Sequence, residues 1–291
     1  GTELWKTNGT SAVLVKDICA LTFGGMACPS NPQMLTRAGS NVFFTASDGT
    51  HGYELWKTDG TPQGTLMLTD EDPDLQPRPF GAVGETLFFT ARSEDYGFTA
   101  LWKSDGTVSG TRKVTDLDFG LTLGIQDMAV VGDSFFFSAH DLSCGFELWQ
   151  SNGTAQGTYR VADINESGSS WPHGFAAFDD VVFFAATDPD HGTELWRSNG
   201  NAEGTVLVAD INPDCDSNPE GLTVIGQRLY FIADDGVHGR ELWQYDGQAV
   251  SLVEDIKAGS GSSNPEHLTD INGWVVFSAD DEIHGREVWV Y

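Results

Sequence analysis

An all-β fold follows from three features of this 291-residue sequence. A Trp recurs at positions 5, 56, 102, 149, 196, 243 and 289, so that successive copies lie 51, 46, 47, 47, 47 and 46 residues apart. A fixed period of this length marks a repeat architecture. Each unit carries four short stretches, apolar or alternating and bounded by turn residues, the pattern of strands. Asn-Gly and Asp-Gly pairs recur between the third and fourth stretches and favour tight reversals. Together these predict a six-bladed β-propeller of four-stranded antiparallel blades, a single domain over residues 1–291, closed by pairing of the N- and C-terminal strands.

Within one unit, residues 221–255, the strands read "GLTVIG", "QRLYFIA", "RELWQYDG" and "AVSLVEDI". The first two meet at tight turns such as "IGQ", "VGD" or "INGW". The second strand is the most apolar, as in "NVFFTA", "TLFFTA", "SFFFSA" and "VVFFAA". The third and fourth meet at "TDGTPQGT", "SDGTVSGT" or "SNGTAQGT". A meander of this size cannot bury both faces alone, so units must stack on their neighbours. Six copies of the first, second and fourth strands occur, but seven of the third, because the chain both starts and ends on one. Ring closure would place Val13 to Asp17 beside the C-terminal strands, leaving either Thr2 to Lys6 or Glu287 to Tyr291 as a spare strand able to pair with another copy.

The recurring phrase, ELW followed by two residues and DGT, resembles the ELWxxDGT-repeat proteins of bacteria, and the resemblance spans essentially the whole chain. It implies secretion and a place in surface or extracellular proteins, and it carries no chemistry over to any residue.

Acidic residues outnumber basic ones 43 to 15, a formal charge of -28, which repels nucleic acid and anionic membranes. No apolar run is long enough to cross a bilayer. The chain begins at Gly1 rather than Met, as a processed product or a segment of a longer protein does. Cys19 and Cys28 enclose a ten-residue stretch that suits a local disulfide, and Cys144 and Cys215 remain as the second pair. Paired cysteines favour an oxidising compartment.

Glu54, Glu147, Glu194, Glu241 and Glu287 share a strand face with the repeated Trp, so they are expected to be buried acceptors of hydrogen bonds rather than catalytic acids. Asn8, Asp59, Asp105, Asn152, Asn199 and Asp246 read as turn formers. Two loops share the opposite rim. The second-to-third turns place His51, His191, His238 and His284 near Asp48, Asp188, Asp234 and Asp280, a stabilised hairpin rather than a zinc site, since a ring spreads the blades apart. The crossovers carry Asp70, Asp72, Asp116, Asp118, Asp163, Asn165, Asp210 and Asn212, closely spaced oxygen ligands that fit calcium. Trp171 and His173, in "SSWPHG", offer a stacking patch.

No nucleophile motif, zinc-protease motif or phosphate loop is present, and no carboxylate pair stands out from the repeat. The expectation is a non-enzymatic, secreted or cell-surface structural or adhesive module, with calcium ordering its rim and its partner another copy of itself or a surface protein or glycan. The alternative is a glycan-binding propeller using the rim acids and Trp171.

Overall fold

The computed structural model describes residues 1–70, 75–92, 99–117, 125, 127–141 and 143–291. The chain divides into two compact units, Gly1–Gln126 with Gly153–Thr158, and Asp127–Asn152 with Tyr159–Tyr291. Among the described residues every regular element is a strand, and no helix is long and apolar enough to cross a membrane.

In the first unit, β1 (Leu4–Thr7) and β2 (Ala12–Lys16) form a two-stranded sheet, and β3 (Thr22–Phe23) with β4 (Met26–Ala27) a short ribbon. Two meanders follow. One is β5 (Gln33–Ala38), β6 (Asn41–Ala46), β7 (Glu54–Thr58) and β8 (Leu66–Met67), and the other is β9 (Arg78–Val83), β10 (Thr86–Arg92), β11 (Thr99–Ser104) and β12 (Arg112–Leu117).

The second unit holds three more meanders. They are β13 (Met128–Val131), β14 (Ser134–Asp141), β15 (Gly145–Ser151) and β16 (Tyr159–Arg160); β17 (His173–Phe178), β18 (Val181–Asp188), β19 (Gly192–Ser198) and β20 (Val206–Ala209); and β21 (Glu220–Ile225), β22 (Arg228–Asp234), β23 (Arg240–Tyr245) and β24 (Val250–Glu254). A three-stranded sheet of β25 (Glu266–Ile271), β26 (Trp274–Asp280) and β27 (Arg286–Val290) ends it. Every ladder is antiparallel between neighbours in sequence, as the meander reading requires. The terminal sheets are partial: β1 and β2 are of the third and fourth kinds, β25–β27 of the first, second and third.

Alternation along the second strand explains its double Phe. Successive side chains leave opposite faces, and within each unit both faces meet another sheet. Phe44, Ala46 and Trp56 pack with Leu4, Val15 and Ile18 of the preceding sheet, while Phe43 and Leu55 pack with Leu87, Phe89 and Ala91 of the following one. The same division recurs in the second unit, where Phe136 and Leu148 meet Val182, Phe184, Ala186 and Trp196, and Phe183 and Leu195 meet Phe231 and Ala233. Where the neighbouring sheet lies in the same unit, the Leu of the phrase therefore packs toward the next sheet and its Trp toward the previous one. Fully burying each such side chain contributes about 1.5–3 kcal/mol. Trp5, on the outer face of the partial N-terminal sheet, is 56% exposed, and Val288 of the C-terminal sheet is 73% exposed, because these faces lack a neighbour within their own units.

Candidate functional site

The third-strand glutamates Glu3, Glu54, Glu147, Glu194 and Glu241 are buried, and the residues that hold them define how their crossovers are built. Glu287, expected to be buried with them, is exposed, with no crossover donor bonded to it among the described residues. Glu147, Glu194 and Glu241 are each about 0% exposed. The Glu194 carboxylate accepts the Ile211 N–H at 2.9 Å, the Ser217 N–H at 3.0 Å and the Ser217 hydroxyl at 2.6 Å. Glu147 makes the same three bonds with Ile164 and Ser170, Glu241 with Ile256 and Ser263, and Glu3 with Ile18 and Ser30. Glu54 takes its hydroxyl from Thr69. Burial pushes the Glu147, Glu194 and Glu241 carboxyls up, and the serine and backbone donors hold them partly down. The second meander has Ala100 at this position, so that sheet lacks the carboxylate.

Each clasp also reaches the next sheet. The carbonyl of the clasping serine accepts an N–H from the end of the following second strand, Ser30 from Ser47, Ser170 from Thr187, Ser217 from Asp234 and Ser263 from Asp280, at 2.8–3.0 Å. The residue after the serine precedes a proline and lies in the left-handed region: Asn31, Trp171, Asn218 and Asn264 have φ of 44°, 49°, 48° and 46°. Gln76, before Pro77, has φ of 46°. Non-glycine residues seldom sit there, least of all a bulky Trp. This serine, with the X-Pro step after it, was not singled out in the sequence, although "SNP" at 30–32, 217–219 and 263–265 and "SWP" at 170–172 spell it out.

The histidine turns hold as stabilised hairpins, with one correction. His51 Nδ1 lies 2.7 Å from Asp48, and His191 Nδ1 lies 2.8 Å from Asp188. His238 pairs with Asp235 and His284 with Asp281, each at 2.7 Å, not with the expected Asp234 and Asp280. The spacing is always three, because the same carboxylate also accepts the histidine backbone N–H and so closes the turn. In the "DD" turns only the second Asp satisfies that geometry.

These hydrogen bonds raise the pKa of His51, His191, His238 and His284, their aspartate partners supplying the largest share. Burial works to raise the Asp48 carboxyl, but bonds from Thr50 and His51 outweigh it and hold it at about 2. Bonds from the His284 backbone and ring hold Asp281 at about 2.

The crossover oxygens stay apart in their own loops. Asp163 pairs with Arg160 at 3.1 Å and Asp116 with Lys113 at 2.9 Å. Asp70 lies 3.5 Å from His51 Nε2. Asn165 caps Ser167 with its side-chain oxygen, and the Asn212 amide donates to the Asp216 carbonyl. Asp210 precedes Ile211, the donor to Glu194. Asp72 and Asp118 lie outside the described residues. Among the described residues no group of three or more His, Cys, Asp or Glu is placed to hold a metal ion.

Trp171 stacks on Phe146, with centroids 4.4 Å apart and planes 21° from parallel, and the Phe146 ring meets His140 edge-on at 5.0 Å. His173 Nδ1 lies 2.9 Å from the Trp171 carbonyl. Trp171 thus packs on the sheet that its crossover leaves while 53% of it stays exposed.

Cys19 and Cys28 form the expected disulfide, with Cα atoms 5.5 Å apart. Cys144 and Cys215 are free, which corrects the expected second pair. The turn of Cys144 meets its own crossover at Gly145, where an added Cβ would stand 2.2 Å from Ser169 Oγ. The crossover of Cys215 instead lies against Gly192 and Gly236, through Asp216 and Asn212. Cys144 thus sits in the hairpin turn between β14 and β15 and Cys215 in the crossover between β20 and β21.

No family model matches the chain, and no curated protein matches it. Among solved structures it is similar to the β-propeller domain of the Trilobed protease from Pyrococcus furiosus, which is described as having an open velcro topology. The TM-score there is 0.50 at 10% identity, over 89% of this chain and 82% of that one. It is also similar to prolyl endopeptidases, with a TM-score of 0.53 and 14% identity over 89% of this chain and 40% of that one. A Mycobacterium tuberculosis puromycin-hydrolyzing peptidase matches with a TM-score of 0.50 and 12% identity, over 90% of this chain and 45% of that one. The chain thus spans less than half the length of the last two. These likenesses give the fold, an all-β chain of four-stranded antiparallel sheets like those of β-propeller domains. The proteins that share it here are a protease and peptidases, which overturns the expectation of a structural or adhesive module assembling through its terminal strands, and of a glycan-binding alternative.

Two outcomes follow from the clasps and the turns. Ser217→Ala removes one donor to a buried carboxylate and should cost about 1–3 kcal/mol, while Glu194→Ala strands both backbone donors and should cost more. Urea unfolding measures both, and unchanged midpoints would deny the clasp its role. For histidines whose folded pKa is raised, the stabilisation is full below the unfolded value of 6.5 and is lost as pH rises through the folded value. The melting temperature should therefore fall between pH 6 and pH 8, with a smaller fall in a His51→Gln, His191→Gln, His238→Gln, His284→Gln variant. An identical slope would assign the pH dependence elsewhere.

Proposed function

We propose that this chain is a non-catalytic propeller domain that receives peptides for a peptidase, in an oxidising compartment outside the cytoplasm, secreted or at the cell surface. The observation that carries this reading is the fold it shares with peptidases, of whose length it spans 40–45% in two cases. A protein of that length has room for a separate catalytic domain. The use of the repeat's acids supports the non-catalytic part, since Glu3, Glu147, Glu194 and Glu241 each spend their carboxylates on three donors within the fold. The net charge of -28 favours peptides that are basic along their length. The Cys19–Cys28 disulfide supports the compartment.

The ring is proposed to have six blades. Five meanders are complete, the N-terminal sheet has third- and fourth-kind strands, and the C-terminal sheet has the first, second and third. A sixth blade built from β25, β26 and β2 would have β1 and β27 as alternatives for its third position.

Labelled basic peptides should bind the chain saturably, more weakly as salt rises, and mass spectrometry should find them intact afterwards. Cleavage by this chain alone, or no binding across a varied peptide set, would overturn the reading. For the ring, deleting residues 1–6 or residues 286–291 alone should leave the melting temperature near that of the parent, whereas deleting both should lower it strongly. Unfolding by either single deletion would refute the redundancy.

A further inference from the structure

The first unit contains a pocket of about 200 Å³ beside the start of β9, lined by Gln33, Met34, Thr45, Tyr53, Gln76 and Arg78. Arg78 is one of only 15 Lys and Arg residues in a chain with 43 acids. Three other arginines pair with acids, Arg240 with Glu220 at 2.8 Å, Arg286 with Glu266 at 3.4 Å and Arg160 with Asp163 at 3.1 Å, while Arg37 and Arg228 donate to uncharged groups, the Gly39 carbonyl and the Gln244 side chain. Among the described residues no carboxylate lies within ion-pair distance of Arg78.

The repeat supplies its own template for what is missing. Two residues beyond the left-handed pre-proline residue stand Gln33, Arg78, His173, Glu220 and Glu266. At Glu220 and Glu266 the position carries an acid, and the third strand of the same sheet supplies the arginine. In the second meander the position carries the cation itself, and the corresponding third-strand residue is the uncharged Thr99. Among the described residues, the charge pair that completes this corner in the fifth meander and the C-terminal sheet therefore lacks its acidic half here.

The remaining wall suits a carboxylate with a short apolar attachment. Gln33, Thr45, Tyr53 and Gln76 bring amide and hydroxyl groups. Met34 brings an apolar surface that is 44% exposed. Its φ is 52°, at a position where the fourth and fifth meanders use Gly174 and Gly221, both at φ of 66°. The last sheet also carries a non-glycine residue there, His267 at φ of 61°, so the position admits a side chain, and in the first meander that side chain is the Met34 thioether. The volume is below that of sites for drug-sized ligands, so the pocket takes one terminal residue rather than a whole small molecule.

We propose that this pocket binds the terminal carboxylate of a peptide, with Arg78 as its counter-charge in the bidentate geometry that guanidinium offers and Met34 against the last side chain. The choice of a peptide rests on the reading above, while the carboxylate chemistry rests on the pocket alone. A basic peptide ending in a free carboxylate meets both the global field and this local charge.

The test is titration calorimetry at low ionic strength with acetate, N-acetyl-leucine, N-acetyl-leucinamide, and one basic tetrapeptide with a free or an amidated C-terminus. N-acetyl-leucine and the free tetrapeptide should bind at least tenfold more tightly than their amides. Arg78→Gln should erase that difference, with Arg78→Lys retaining part of it and both variants keeping the parent's circular dichroism and melting temperature. Acid and amide binding alike, or an unchanged preference in Arg78→Gln, would overturn the proposal. Equal binding of both tetrapeptides would sink the pocket and leave the peptide reading standing. Failure of either tetrapeptide to bind, with N-acetyl-leucine still discriminated through Arg78, would sink the peptide reading and leave a small-carboxylate site. Acetate binding as tightly as N-acetyl-leucine would remove Met34 from the site.

Discussion

A buried carboxylate that must not be left unpaired is the constraint on which the rest of this structure depends. Removing a charged group from water costs many kcal/mol unless hydrogen bonds replace its hydration. In four of the sheets that replacement comes from one place, the crossover that leaves the sheet. The crossover, which holds no regular structure beyond the short β3–β4 ribbon of the first one, is thereby fixed at two points, an N–H early in the loop and a serine at its end. Because the serine carbonyl then bonds the next sheet, one carboxylate sets where that sheet begins. The core packing between sheets is large but non-directional. The clasp supplies direction.

Two further consequences follow. Once the serine is fixed, the chain must turn sharply into the next first strand, and it does so through a left-handed residue followed by proline. The proline biases the preceding residue toward extended backbone at negative φ, so the left-handed conformation is imposed by the folded contacts around the serine and not by the local sequence. The side chain at that left-handed residue is released from packing duty. It can be Asn, Gln or Trp, and in the Trp171 case it stacks on a neighbouring ring instead of entering the core.

The strands, their order and the burial of Glu54, Glu147, Glu194 and Glu241 were legible because each is written several times at one spacing, and repetition averages away local ambiguity; Glu287, in the terminal sheet, is exposed instead. The turn formers were legible for the same reason: Asp59 and Asp105 bond the N–H and hydroxyl of Thr61 and Thr107, as their place before Gly-Thr implies. What misled was proximity in sequence without direction. In "ADDGVHG" two aspartates precede the histidine, and only the one three residues back can accept both the backbone and the ring N–H. The cysteines failed similarly. Counting pairs four thiols, yet Cys144 lies in a hairpin turn and Cys215 in a crossover. The function was not legible, because the phrase that dominates the sequence is spent on architecture.

Specific chemistry in such a chain must lie where the repeat allows substitution without loss of the clasp. The position after X-Pro is one of these, since it follows the fixed serine and faces outward from the start of the first strand. It holds Gln33, Arg78, His173, Glu220 and Glu266, five residues spanning neutral, cationic and anionic character on one backbone geometry. Where an acid sits there, the same sheet answers it with an arginine. Where the cation sits there, no acid answers among the described residues. In a protein that carries 43 acids, a vacancy of that sign is not a shortage of material. A guanidinium at the mouth of a pocket, with no carboxylate beside it among the described residues, is therefore where an anionic group from outside meets little competition.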